Sequence, residues 1–161
     1  MKKLILIVPF MALVMIFSAC SNDSNDNPTV TIITWEDQIE DLKIAIAPYT
    51  NLNAAIAAGW DNNAAGYISH LGDYYYNISL ANANFELEKP EVLLFDQDGV
   101  FVGVIYLVPI IGNNNDPAPE GFIGGEDEWN IVPLENFWSL SVWVGLDNPN
   151  GIFAEFHPDL P

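Results

Sequence analysis

The two histidines, His70 and His157, are the side chains of this sequence that most readily exchange protons near neutral pH. Neither has the spacing of a metal-binding motif such as H-E-x-x-H, and the sequence contains no G-x-S-x-G nucleophile elbow. We therefore expect structural or surface roles for both histidines. The chain is accordingly predicted to have no catalytic residue and no cofactor, which favours a protein other than an enzyme.

Acidic side chains gather in the long turn-rich segment 110–136, where they offer oxygen ligands. Carboxylates on a loop are donors that calcium takes in weak extracellular sites. The weak Ca²⁺ candidates are Glu126, Asp127 and Glu128, with Asp116 and Glu120 nearby. A solvated acidic loop accounts for the same composition, and we favour it over a metal site.

Aromatic side chains could form a platform for a sugar or a peptide. Alternation along a strand places Tyr74 and Tyr76 on one face and Tyr75 on the other. The candidate ligand-binding or partner-binding residues are Tyr74, Tyr76, Ser141, Trp129 and Trp143. An exposed row of Trp129, Trp143 and Tyr75 would favour a carbohydrate ligand, whereas packing in a core is the alternative for each of them.

The N-terminus has the pattern of an export signal. Two lysines precede an unbroken apolar run, Leu4 to Phe17, which is too short to span a bilayer as a helix. The Ser-Ala-Cys that ends at Cys20 resembles the bacterial lipobox, with Phe17 in place of the usual leucine. The resemblance implies a lipoprotein signal peptide over residues 1–19 and a diacylglyceryl and further acyl chain, such as palmitate, on Cys20.

Residues 20–33 are predicted to be the lipidated cysteine followed by a flexible acidic tether, because the polar, turn-rich segment 21–28 has no apolar anchors. Ser21, rather than Asp, after the lipidated residue favours the outer membrane of a Gram-negative cell. We expect a membrane partner through the lipid anchor, with the periplasmic and surface faces both open.

The mature chain is strongly acidic. The sequence has 4 Lys+Arg, all of them lysine, against 22 Asp+Glu, and loss of Lys2 and Lys3 with the signal leaves a formal charge of −20. Nucleic-acid binding needs a basic patch, which this composition cannot supply. Cations, basic protein surfaces and neutral sugars remain as partners, so the ligand is expected to be a protein, a peptide or a glycan.

Residues 34–161 are predicted to form a single α+β domain, with an N-terminal kinked helix packed on a mostly antiparallel β-sheet. Between residues 35 and 60, apolar side chains recur at intervals of three and four, which is typical of a helix. Thr34 suits the N-cap, Pro48 is expected to kink or split the helix, and Gly59 suits its end.

A β-hairpin is the strongest local prediction. Two β-rich runs, 91–95 and 100–109, flank a turn that ends in Asp98-Gly99. The turn also resembles the opening of a calcium loop, but the twelfth position counted from Asp96 is Leu107 instead of glutamate, so we favour the hairpin.

The rest of the sheet is predicted from alternation and apolar content. The run 100–109 is apolar on both faces, which indicates a central strand, and Gly103 would allow a neighbour to pack close to its backbone. Alternation over 138–146 indicates another strand. Phe153 and Phe156 are expected to anchor the tail to the core.

Four segments resemble an uncharacterised family of bacterial exported proteins, many known only as hypothetical proteins. The segments are AAIAAGW at 54–60, LGDYYYN at 71–77, KPEVLLFDQDGVFVGVIYLVP at 89–109 and LSVWVGLDNPNGIFAEFHP at 140–158. They resemble the family patterns M-G-x-H-Y, P-E-V-L-L-Y…G-V-E-Y and L-H-V-W…N-P-x-G-x-F-A. From the first segment to the last they extend over residues 54–158, about two thirds of the chain.

The resemblance implies a His, a Glu and a His on three strands, which could bind a metal or move protons. The matching positions here are Tyr74, Ile105 and Ser141. Such a site is therefore expected to be lost, and we favour a lipid-anchored binding module. An enzyme or metal protein with a degenerate site and a carbohydrate-binding module are the alternatives.

Overall fold

The computed structural model describes residues 32–112, 117–132 and 136–161. The predicted signal peptide, Cys20 and the tether up to residue 31 lie outside the described residues, as does Asp116. Residues Ile32–Pro161 form one compact unit. None of the described helices combines the length and apolar character needed to cross a bilayer.

The predicted kinked helix is present and is split at its proline. Helix α1 spans Trp35–Ile46, a single 3-10 turn spans Ala47–Tyr49, and helix α2 spans Leu52–Ala57. Thr34 caps α1 in a capping box, because its side chain accepts the Asp37 N–H while the Asp37 carboxylate accepts the Thr34 N–H.

Pro48 lies at the start of the 3-10 turn. Proline has no N–H to donate and its ring clashes with the preceding helical turn, so the α-helix ends before it. The chain then restarts as α2, whose N-cap is Asn51. Gly59 follows α2 with φ of +107°, which confirms its predicted place at the helix end.

Six strands form one curled antiparallel sheet, which confirms the predicted α+β class. The spatial order is β1-β2-β3-β4-β6-β5. The strands are β1 Tyr67–Ile68, β2 Gly72–Tyr76, β3 Val92–Phe95, β4 Phe101–Pro109, β5 Asn130–Val132 and β6 Phe137–Val142.

The predicted hairpin joins β3 and β4. The Asp96 carboxylate accepts the backbone N–H groups of Asp98 and Val100 at 2.9 Å and 2.8 Å, and Gly99 has φ of +75°. The carboxylate thus closes its own turn as an Asx-type bond does. The antiparallel pairing of β3 with β4 confirms the predicted hairpin.

The helices cover one face of the sheet, here called the helix face. Ile39, Leu42 and Ile46 of α1 share a core with apolar side chains of the central strands. The strand residues of this core are Leu93, Phe95, Phe101, Val104, Tyr106, Leu140 and Val142.

The opposite face, here called the tail face, is partly covered by the C-terminal residues 143–161. Its core consists of Val92, Leu94, Val102, Ile105, Leu107, Trp143 and Leu160. Strand β6 ends earlier than predicted, because the Trp143 N–H donates to Ile152 of the tail at 2.8 Å instead of continuing the β4 ladder. Two hydrophobic layers therefore sandwich β3 and β4.

Gly103 permits the packing of the tail face, as predicted. A Cβ atom at this position would lie 2.8 Å from the Val142 carbonyl oxygen and 3.3 Å from Cε3 of Trp143. The Trp143 ring therefore lies close over the glycine backbone, which a larger residue would prevent.

Candidate functional site

The three positions that correspond to the family's His, Glu and His share the tail face. Ile105 of β4 lies directly opposite Ser141 of β6. Tyr74 of β2 pairs with Leu94, and Leu94 in turn pairs with Gly103. The register therefore places all three side chains on one side of the sheet. Tyr74 is offset by two residues along the strands from the pair of Ile105 and Ser141.

The tail covers two of these three positions. Ile105 is buried in the tail-face core, and the buried Ser141 hydroxyl donates to the Glu155 carbonyl oxygen at 3.1 Å. The hydroxyl of Ser141, a predicted ligand contact, is thus buried and bonded to the tail in this structure.

Trp143 is also a structural residue. It is buried, its Nε1–H donates to the Ala154 carbonyl oxygen at 2.7 Å, and its ring centroid lies 5.1 Å from that of His157. Tyr75 packs edge-on against Phe95 on the helix face. The row of Trp129, Trp143 and Tyr75 that would favour a carbohydrate platform therefore does not form, since Trp143 and Tyr75 lie on opposite faces.

Tyr74 and Tyr76, by contrast, line an open cleft of about 330 Å³ at the uncovered part of the tail face. We call it the tyrosine cleft. Its lining is Asn62, Ala64, Ala65, Tyr74, Tyr76, Ile78, Leu107 and Phe137. All eight side chains are uncharged, and most are apolar or aromatic, as is usual for a ligand pocket.

Two short connections build the walls of the tyrosine cleft. Asn62 and Tyr76 exchange backbone hydrogen bonds of 3.3 Å and 2.9 Å, which brings the loop after α2 against β2. Ile78 begins a 3-10 turn, Ile78–Leu80, and its side chain is 68% exposed at the rim. The Ile78 side chain is therefore accessible to a molecule in the cleft.

A buried carboxylate lies behind the cleft. Glu91 is 1% exposed, and its Oε2 accepts the backbone N–H of Leu107, which lines the cleft. Burial raises the pKa of Glu91 to about 7, against the opposing effect of its backbone hydrogen bonds. Burial, with the charge of Glu91 beside it, raises the pKa of Tyr76, so this phenol remains a hydrogen-bond donor at neutral pH.

Glu91 was not among the sequence candidates. It lies between Pro90 and the apolar run of β3, where a charged residue usually marks the exposed start of a strand. The one signal for its burial in the sequence is the length of the two apolar runs. The run of β4 is longer than that of β3, so the residue just before β3 must lie beside β4.

Within residues 117–132, the longest described part of the acidic segment 110–136, the Asp127 carboxylate bonds to two other residues of the segment. Asp127 Oδ2 accepts the Trp129 Nε1–H at 2.9 Å and the Phe122 N–H at 3.3 Å. Within the described part of the chain no three acidic, histidine or cysteine side chains are grouped so as to hold a metal ion. Asp127 therefore serves the loop itself, and Glu126 and Glu128 stand beside a different cleft together with Trp35.

Trp129 is partly buried and packs against Phe85 with ring centroids 6.0 Å apart. Its exposed edge lines a shallow pocket with Phe122 and Ile123. This arrangement separates Trp129 from the tyrosine cleft, so the five predicted contact residues do not form one site.

The two histidines differ in role. His157 is fully buried, with Nδ1 accepting the Asp159 N–H at 3.2 Å and Nε2 lying 3.0 Å from the Asp147 carbonyl oxygen. Because Nδ1 acts as an acceptor, Nε2 is the nitrogen that can donate to the Asp147 carbonyl, and the ring links two parts of the tail. His70 is exposed and has φ of +65° in the turn between β1 and β2.

Comparison of the chain with protein-family models, with curated proteins and with solved structures finds no match.

Proposed function

We propose that this chain is a lipid-anchored, non-enzymatic module of the cell envelope, tethered to the outer membrane through Cys20, which binds a protein partner in the tyrosine cleft. The observation that carries the proposal is the cleft itself. It is an open pocket with an uncharged aromatic lining and an exposed isoleucine at its rim, in a domain otherwise rich in acids.

Charge selects the kind of partner. Lys43 and Lys89 form ion pairs with Glu40 and Glu86 at 2.8 Å and 2.9 Å. These are the only lysines in the described part of the chain, and the sequence has no arginine. The domain therefore has a negative electrostatic potential. A partner surface with lysines or arginines around a central apolar side chain is attracted to it, whereas an acidic surface is repelled.

The two contributions to binding are separable. Burying one leucine-sized side chain in the cleft contributes about 1.5–3 kcal/mol. The surrounding attraction between charges is long-ranged and is screened within about 8 Å at physiological salt. Raising the salt concentration should therefore weaken binding of a basic partner without removing the contact in the cleft.

A short peptide tests the proposal on the full chain in phosphatidylcholine nanodiscs. The probe is acetyl-Lys-Leu-Lys-Leu-Lys-amide, and its matched control carries glutamate at the three lysine positions. We expect the basic peptide to bind and to shift the ¹⁵N–¹H signals of Tyr74, Tyr76 and Leu107, and the acidic peptide not to bind.

The chain supplies a matched pair of variants. Ile78 lines the cleft and is 68% exposed, while Ile44 on the outer side of α1 is 73% exposed. Ile78→Ala should weaken the basic peptide about threefold to tenfold, and Ile44→Ala should leave its affinity unchanged. Equal effects of the two variants, or equal binding of both peptides, would refute the proposed site.

The anchor is tested separately. In a Gram-negative host fed labelled palmitate, the chain should take up label, and Cys20→Ser should abolish the labelling. Mass spectrometry of the native protein should show an acylated N-terminal cysteine after loss of residues 1–19. An uncleaved N-terminus without lipid would contradict the anchoring proposal and leave the peptide test standing.

The enzyme or metal-protein alternative depends on the row of Tyr74, Ile105 and Ser141. An isoleucine side chain offers no donor atom, and Ser141 is already bonded to Glu155. Stoichiometric metal in the purified full chain would favour that alternative over a binding module.

A further inference from the structure

A second cleft, of about 420 Å³, lies beside Asn77 on the other side of the segment that carries Tyr76 and Ile78. We call it the polar cleft. Tyr49 and Trp60 form an aromatic wall, with ring centroids 4.8 Å apart. Ser79, Glu88 and Lys89 also line the cleft, so hydrogen-bond donors and acceptors surround the wall.

Asn77 presents an amide donor that no described residue uses. The residue is 4% exposed. Its Oδ1 accepts the Ser79 N–H at 3.1 Å and the Ser79 hydroxyl at 2.6 Å, which fixes the orientation of the amide. Its Nδ2 donates no hydrogen bond to any of the residues that the structure describes. It is not one of the enclosed unpaired atoms of this part of the chain, which are Asn63 Oδ1 and Tyr67 Oη. The donor therefore reaches the polar cleft, where a ligand oxygen can accept from it.

Gly59 keeps the space beside this donor open. A Cβ atom at Gly59 would lie 3.0 Å from Asn77 Nδ2, a tighter contact than side chains normally make. Because the glycine has no side chain, the amide is left uncovered at the edge of the polar cleft.

The lining matches the chemistry of a sugar ring. A pyranose has an apolar C–H face that packs on aromatic rings, and hydroxyl groups that both donate and accept hydrogen bonds. Asn77 and Lys89 supply donors, and Glu88 and the Ser79 oxygen supply acceptors. The strongly acidic composition of the domain disfavours an acidic sugar.

We propose that the polar cleft binds a neutral sugar residue, with the ring against Tyr49 and an oxygen of the sugar accepting from Asn77 Nδ2. This site lies apart from the tyrosine cleft and stands whether or not the partner proposed above exists. A sugar oxygen in this place replaces solvent as the acceptor of the Asn77 amide, and binding does not require any change in the fold.

The test is a titration of the isotope-labelled full chain in phosphatidylcholine nanodiscs with cellobiose and with N,N′-diacetylchitobiose. The two probes distinguish a hydroxyl acceptor from an acetamido carbonyl. We expect at least one probe to shift the side-chain amide signals of Asn77 saturably. Asn77→Asp keeps the acceptor for Ser79 and removes the donor, so it should weaken binding about tenfold.

A second variant covers the case in which Asn77→Asp fails to fold. Tyr49→Ala removes part of the wall and should also weaken the sugar about tenfold. Lys89→Gln and Lys43→Gln form a matched pair, since each lysine bonds to a glutamate three residues earlier and only Lys89 lines the cleft. Lys89→Gln should weaken binding of the sugar, whereas Lys43→Gln should bind it as the unmodified chain does.

Failure of both sugars to shift the Asn77 amide overturns the proposal, and so does unchanged affinity in a folded Asn77→Asp or Tyr49→Ala variant. Ile78→Ala, which should weaken the basic peptide, should leave sugar affinity unchanged. The two proposals can therefore fail independently.

Discussion

Leu107 donates its backbone N–H to Oε2 of Glu91 at 2.9 Å. Glu91 is the residue immediately before strand β3. Strand β4 continues to Pro109, so the backbone of Leu107 lies beyond the end of its neighbour on that side. The carboxylate takes the place of the missing strand partner. An ionised group at 1% exposure is costly, which is why burial raises the pKa of Glu91 to about 7.

Replacement of Glu91 should make the protein more stable in mild alkali. The pKa of the Glu91 carboxyl is about 7 in the folded chain and ordinarily 4.5. Between pH 4.5 and 7 the folded chain therefore keeps a proton on Glu91 that the unfolded chain has lost. The free energy of unfolding should therefore fall as pH rises from about 4.5 to 7, by at most about 3 kcal/mol.

Glu91→Gln keeps an acceptor for Leu107 and removes the titration. Urea unfolding at a series of pH values should show this pH dependence in the unmodified chain and its loss in the variant. The variant should be the more stable of the two at pH 8 and close to the unmodified chain at pH 4. An unchanged slope would show that Glu91 is ionised at no cost.

Gly103→Ala should destabilise the fold, although alanine ordinarily stabilises an extended chain relative to glycine. The added Cβ would lie 2.8 Å from the Val142 carbonyl oxygen, so either β6 or Trp143 must move. We expect a loss of about 1–3 kcal/mol in the free energy of unfolding, measured by urea denaturation followed by tryptophan fluorescence. A gain in stability would mean that the tail face is loosely packed.

His157→Asn should loosen the tail. The variant loses the fully buried ring and its bonds to Asp147 and Asp159, and we expect a loss of about 2–4 kcal/mol. His70→Asn is the matched control, because His70 is exposed and asparagine tolerates its positive φ. Limited proteolysis should cut the first variant within residues 143–161 and spare the control.

Asp127→Ala should disturb the acidic loop locally. It leaves the Trp129 Nε1–H and the Phe122 N–H without their acceptor, which should cost about 1–3 kcal/mol and shift the indole N–H signal of Trp129.

Calcium at about 1 mM fills weak extracellular sites. Since Asp127 is already engaged, calcium should leave the Tm of the unmodified chain unchanged, and a clear rise in Tm would restore the calcium hypothesis.

Local signals predicted the helices and the hairpin well, because those elements depend on neighbours in the chain. Thr34, Pro48 and the turn at Asp96 each act within four residues, and the structure has each of them as expected. Strand β6 was predicted too long, because its end depends on a bond between Trp143 and Ile152 in a distant part of the chain.

The tail shows the same limit. Phe153 packs on Phe122 with ring centroids 5.0 Å apart, as an anchor should, but Phe156 is exposed and the prediction for it was wrong. His157 and Leu160 are buried in its place. Local composition shows that some residues of an irregular tail are buried and does not show which ones, since no regular period relates them.

The candidate sites depended most on long-range structure. Alternation placed Tyr74 and Tyr76 together correctly, whereas the tail that buries Ser141 and Trp143 has no signature in strand patterns. Glu91 and Asn77 became candidates only through burial, which is set by the packing of distant segments.

Residues 76–79 alternate between the two clefts: Tyr76 and Ile78 line one, and Asn77 and Ser79 line the other. A molecule seated on either side restrains the same four-residue backbone. Any displacement of this backbone on binding in one cleft would change the affinity of the other cleft, and thermodynamic reciprocity requires the second ligand to change the first by the same factor. The affinity of the basic peptide, measured with and without the sugar, would therefore report any coupling between the two proposed sites.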